Sequence, residues 1–192
     1  RMEMCLKVFL TNIQCFACKS MVKQLFLVGY MGAGKTSTAK ALSLRTGHPM
    51  IDLDEEFERR EGISISDLFE QEGEATFRSK ESSLLLDIAG CSSFPIVSCG
   101  GGIMANRENV QVMKAHGFVV WIDTPFEEIL ERLRSNPGKR PLLAAMGYPM
   151  DEYQLRAHYE HRRADYANSD ERIGELTEEA LQALANRINR GA

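Results

Sequence analysis

Gly29-Tyr30-Met31-Gly32-Ala33-Gly34-Lys35-Thr36 is the stretch on which the reading of this chain turns. It has the spacing G-x4-G-K-[ST], with an apolar run at 25–28 feeding in and helical periodicity over 34–46 leading out. Strand, glycine-rich turn and helix in that order curl successive backbone N–H groups towards one point, and the helix N-terminus adds positive potential there. Phosphate oxygens fit such a cradle. Lys35 is placed to neutralise β- and γ-phosphate charge, and the Thr36 hydroxyl to meet Mg²⁺.

Working outward, short apolar runs alternate with amphipathic stretches, the pattern of an α/β protein with a parallel sheet. Strands are expected at 25–29, 49–53, 95–99 and 118–122. Helices are expected at 34–46, 54–61, 66–72, 74–89, 106–116, 125–134, 151–168 and 177–190. The segment 135–150 carries Pro137, Gly138, Pro141, Gly147 and Pro149 and reads as an inserted loop of the kind that serves as a lid. The 192 residues suit one domain, and a net charge of −4 gives no basic footprint for nucleic acid or an anionic membrane. No apolar run approaches a bilayer span, so a soluble, cytoplasmic protein is expected.

Residues 1–23 differ in character from the rest of the chain and are taken as a leader or extension ahead of a domain over 24–192. Cys15 and Cys18 form an isolated C-x-x-C with no second ligand pair at zinc-finger spacing, which makes zinc an unfavourable reading. The four histidines, His48, His116, His158 and His161, fall at helix ends or on polar faces and read as surface residues.

Three further groups surround the loop. Asp52 and Asp54 flank Leu53 at the end of the second strand; on an extended chain both carboxylates share one side. One is suited to Mg²⁺ through water and the other to the hydroxyl being phosphorylated, although Asp54 also suits a helix cap. Gly100, Gly101 and Gly102 end the third strand, where a ligand can approach without Cβ collisions. Arg78 opens a helix with Glu74 and Glu81 as its local acids.

Taken together, GYMGAGKT, DLDEEF, GEATFRSKE, CGGG, KRPLL and RRADY resemble the shikimate kinases, over a span from about Met21 to the C-terminus. The resemblance implies a three-layer P-loop NTPase fold, with a five-stranded parallel sheet flanked by helices and a lid insertion. It implies transfer of phosphate from ATP, with Mg²⁺, to shikimate, giving shikimate 3-phosphate. Gly32, Ala33, Gly34, Lys35, Thr36 and Ser37 then hold ATP, with Arg140 closing over the phosphates and Arg134, ahead of Arg132, at adenine. Thr36 and Asp52 attend the metal. Asp54, Arg78, Gly100, Gly101, Gly102 and Arg162 hold the acceptor, with Arg162 favoured over Arg163, and Lys35, Asp54 and Arg140 are the catalytic set. ATP and shikimate are the only partners implied, and a monomer is expected.

Two other readings belong beside this one. Paired arginines fit any hydroxylated carboxylate, gluconate included. A nucleotide-binding module without transfer is the other, but no N-K-x-D element for guanine is present, and Asp87-Ile88-Ala89-Gly90 lies at the end of an amphipathic helix.

Overall fold

The computed structural model describes residues 24–91, 96–135 and 151–190. The elements run β1 (Gln24–Val28), α1 (Lys35–Thr46), β2 (Met50–Asp52), α2 (Leu53–Glu61), α3 (Ile65–Ala89), β3 (Ile96–Ser98), a 3₁₀ turn (Ile103–Ala105), α4 (Arg107–His116), β4 (Gly117–Ile122), α5 (Phe126–Ser135), α6 (Glu152–Tyr166), β5 (Glu171–Ile173) and α7 (Glu178–Asn189). The five strands form one parallel sheet in the order β2-β3-β1-β4-β5.

Continuous apolar character in β1 has a direct cause: both faces of the strand are covered. Leu25 and Leu27 pack with Leu42 of α1 and Leu184 and Ile188 of α7 on one face. Phe26 and Val28 turn to the other, with Phe57 of α2, Leu85 of α3, Met113 of α4 and Ile129 of α5. The chain leaves β1 through α1 and leaves the adjacent β3 through α4, and these helices lie on opposite faces. Adjacent strands whose connections diverge in this way leave a crevice beyond their C-terminal ends, the usual ligand position in open α/β sheets.

The helices expected at 66–72 and 74–89 are the two arms of α3, which kinks at Gly73, whose φ of 83° is left-handed. That kink re-aims the second half, which carries Arg78 and Glu81. The end expected for the helix carrying Asp87 is found at Ala89, where the Gly90 N–H closes on Leu86 O at 3.0 Å. The short β5 is held at both ends by backbone bonds, Asp170 N–H to Val119 O at 2.9 Å and Asp123 N–H to Ile173 O at 2.8 Å. The leader at 1–23, the C-x-x-C at Cys15 and Cys18, most of the lid segment and Arg140 lie outside the described residues.

Candidate active site

Two cavities open on either side of the glycine-rich loop, and Gly32, Lys35 and Thr36 line both. The larger, about 830 Å³, is bounded by the loop and the start of α1, by Thr124 after β4, by Arg132 of α5 and by 174–176 after β5. Ala33, Gly34 and Ser37 also line it. The smaller, about 380 Å³, has Asp52, Asp54, Arg78, Glu81, Gly100–Gly102, His158 and Arg162 on its walls.

The loop is held from several sides. The Lys35 ammonium donates to Gly29 O at 2.9 Å and Tyr30 O at 3.0 Å. Thr124 Oγ1 donates to Ala33 O at 2.8 Å, and Arg132 Nη1 to Gly32 O at 3.1 Å. A cradle fixed before its ligand arrives spends little binding energy on ordering itself.

Asp52 and Asp54 are not two positions of one extended strand. Asp52 Oδ1 accepts from the backbone N–H of Asp54 at 3.0 Å and of Glu55 at 3.4 Å, so Asp52 is the N-cap and α2 begins at once. The cap considered for Asp54 therefore belongs to Asp52. Its second oxygen, Oδ2, accepts from Thr36 Oγ1 at 2.7 Å, and Thr36 Oγ1 lies 3.3 Å from Ser98 Oγ. All three groups offer oxygen, the donor type that a small hard dication such as Mg²⁺ takes, so this corner fits the ion. Among the described residues no group of three or more His, Cys, Asp or Glu forms a cage.

Asp54 lines the smaller cavity and its side chain is exposed to it, with Asp52, Lys35, Glu81 and Arg78 grouped around it. Burial, reinforced by the Asp52 carboxylate and opposed by the Lys35 ammonium, pushes its pKa up to about 6. Such a carboxylate sits near neutrality and can accept a hydroxyl proton.

Arg78 lies across from it. Its Nη1 donates to the buried Glu81 at 2.8 Å, and Nε and Nη2 reach Glu74 Oε1 at 3.2 and 3.1 Å. Burial raises the Glu81 carboxyl, and the Arg78 charge opposes that rise. A Cβ on Gly102 would come within 2.5 Å of the Arg78 guanidinium. On Gly100 it would stand 2.7 Å from Glu81 Oε1 and 2.9 Å from Asp54 Oδ1. Glycine at both positions is what lets the acids and the arginine converge. Gly101 O accepts from the Tyr166 hydroxyl at 2.5 Å, which ties the triplet to α6.

Of the neighbouring arginines on α6, Arg162 lines the smaller cavity and pairs with Asp165 at 3.1 Å. Arg163 turns away to Asp123 at 2.9 Å and lies over Trp121. Arg134 likewise turns from the larger cavity to pair with Glu152 at 2.9 Å, whereas Arg132 lines it. Glu128, Arg132 and Ser135 all line that cavity, a 4-then-3 spacing that puts them on one face of α5.

Sequence reasoning also passed over His158 and Tyr30. His158 is half-buried on the wall of the smaller cavity rather than on an open surface, and its Nδ1 is 2.8 Å from the Tyr30 hydroxyl. The available signal was its position four residues before Arg162, one turn along the same helix face.

A five-stranded parallel sheet, a phosphate-cradling loop at the end of β1, and a second cavity that meets the first at Lys35 and Thr36 define a P-loop kinase. The shikimate kinase family model matches residues 31–190. The chain is 36% identical over 152 residues to the shikimate kinase of Persephonella marina, spanning 79% of this chain and 88% of that one. With the enzyme of Aquifex aeolicus it shares 39% over 150 residues, 78% and 85% of the two chains. Among solved structures, the shikimate kinase of Acinetobacter baumannii in complex with shikimate superposes with a TM-score of 0.73 at 32% identity, covering 88% of this chain and 91% of that one. The chain belongs to the shikimate kinase family.

Proposed function

We propose that this protein transfers the γ-phosphoryl group of ATP to a hydroxyl of shikimate, giving ADP and shikimate 3-phosphate. The observation that carries the reading is the shared wall: Lys35 and Thr36 border both cavities, so a nucleotide in the larger one presents its phosphates to an acceptor in the smaller. Phosphoryl transfer depends on such positioning and on charge neutralisation far more than on covalent help.

Each residue then has a definite task. The loop amides and Lys35 hold the phosphates and stabilise charge as it develops. Mg²⁺, attended by Thr36 and Asp52, adds neutralising charge when bound. Asp54 orients the acceptor hydroxyl and accepts its proton. Arg78, stiffened by Glu81, and Arg162 hold the acceptor carboxylate, which suits the planar fork of a guanidinium. We place Arg132 rather than Arg134 at the adenine, because Arg132 lies on the cavity wall. Arg140 and the segment at 135–150 close over the phosphates and exclude water, as part of one catalytic domain over 24–192. Among the described residues no helix is long and apolar enough to cross a membrane, and a cytoplasmic monomer is the setting this reading assumes.

The acceptor is tested by offering shikimate and gluconate separately with Mg·ATP. Phosphorylated shikimate with no phosphorylated gluconate is expected. The reverse would replace shikimate by an open-chain sugar acid.

A further inference from the structure

His158 lines the smaller cavity, and the proposed reaction leaves its chemistry unused. Its Nδ1 is 2.8 Å from the Tyr30 hydroxyl, and the two rings meet at 5.5 Å between centroids, tilted by 55°. Tyr30 is 2% exposed and sits inside the glycine-rich loop, so the histidine is hydrogen-bonded to a buried side chain of that loop. Burial pushes the Tyr30 phenol well above its ordinary range, so it keeps its proton and can give it to Nδ1. An imidazole that accepts at Nδ1 carries its own proton on Nε2. Among the described residues Nε2 has no hydrogen-bond partner, although the ring lines the cavity.

The charges around the ring favour an anionic visitor. Arg162 follows one turn later on α6, and Arg78 faces the same cavity from α3. Burial together with the Arg162 and His161 charges holds the imidazole below its ordinary pKa, while Glu74 from α3 and Asp165 from α6 pull the other way. The ring is therefore a neutral donor at physiological pH, set beside two guanidiniums.

We propose that His158 is a third acceptor-binding residue, donating a hydrogen bond from Nε2 to the acceptor carboxylate, with Tyr30 fixing its tautomer and ring orientation. This rests on the acceptor being a hydroxylated carboxylate, as in the proposed reaction. Two guanidiniums grip the carboxylate, and the imidazole narrows the directions from which it can be gripped. The effect is expected on acceptor binding, since the ring lines the smaller cavity and not the larger one.

The test compares His158→Leu, which keeps bulk without a donor, with His158→Gln, which places an amide N–H at about the same reach. His161→Gln, on the exposed side of α6, serves as the control. Loss of a hydrogen bond to a charged group is expected to raise the KM for shikimate about tenfold in the Leu variant. The Gln variant should return to within about threefold, with kcat and the KM for ATP held within about twofold in both. Tyr30→Phe should fall between the two. An unmoved KM in the Leu variant would overturn the role of His158, and so would an equal loss in the Gln variant, which would make the ring a wall only. Absence of shikimate turnover in the unmodified protein would instead overturn the proposed reaction, a result visible before any variant is compared.

Discussion

Asp54→Asn should lower kcat with shikimate by a factor of about 10²–10⁴, the usual range for losing a positioned proton acceptor. The amide keeps the shape of the carboxyl but cannot take the hydroxyl proton. The pH profile gives a second readout. With a pKa of about 6, Asp54 is protonated and inactive at lower pH, so kcat/KM should rise as pH passes through that value and then level off. That rise should vanish in the variant. Stability should change in the opposite sense. Below about pH 4 the carboxyl is neutral in both folded and unfolded chains, so it costs nothing. As pH climbs from there, the unfolded chain ionises first and the folded one lags, which draws the equilibrium towards unfolding until both are charged. The asparagine variant should therefore melt at higher temperature than the unmodified protein at about pH 8, with the difference closing at about pH 4. An activity loss without that gain in stability would mean that a raised carboxyl pKa is not what sets the role of Asp54.

Lys35→Ala should be nearly as damaging, by about 10²–10³ in kcat, because a preorganised charge aimed at the transferring phosphate acts in a site that excludes water. Its two bonds to Gly29 O and Tyr30 O also hold the loop in its curl. The variant should therefore bind ATP more weakly as well as transfer more slowly. Lys35→Arg should not rescue it, since a planar fork cannot occupy the point-like position of the ammonium. Rates within about tenfold of the unmodified protein would remove Lys35 from the transfer step.

Features set by local pattern were legible in the sequence. The glycine-rich loop carries its own spacing, and β1, β3 and β4 are legible because strands covered on both faces are apolar throughout. Gly73 separates two helical stretches in the sequence, and the helix kinks at that residue. Strand order left no local trace, since β1 pairs with residues some 70 and 90 positions further on. The acids at 52 and 54 were recognised as a pair but given strand geometry. Only the capping bonds to Asp52 show that the helix starts between them. Arg132 and Arg134 differ by two residues, which on a helix places them on nearly opposite sides, and the choice between them needed the cavity wall. His158 meets Tyr30 across 128 residues, a contact with no local signature. Assignments that depended on distant segments meeting were the ones the sequence could not complete.

In the proposed reaction the smaller cavity receives a hydroxylated carboxylate and presents its hydroxyl to the phosphates held by the loop. A coupled ADP-release assay with Mg·ATP, run with and without shikimate beside Arg78→Ala, addresses it most directly. ADP release that depends on shikimate, with kcat/KM for shikimate reduced about a hundredfold in the variant, is the predicted result. ADP release indifferent to shikimate, or an Arg78→Ala variant as active as the unmodified protein, would contradict it.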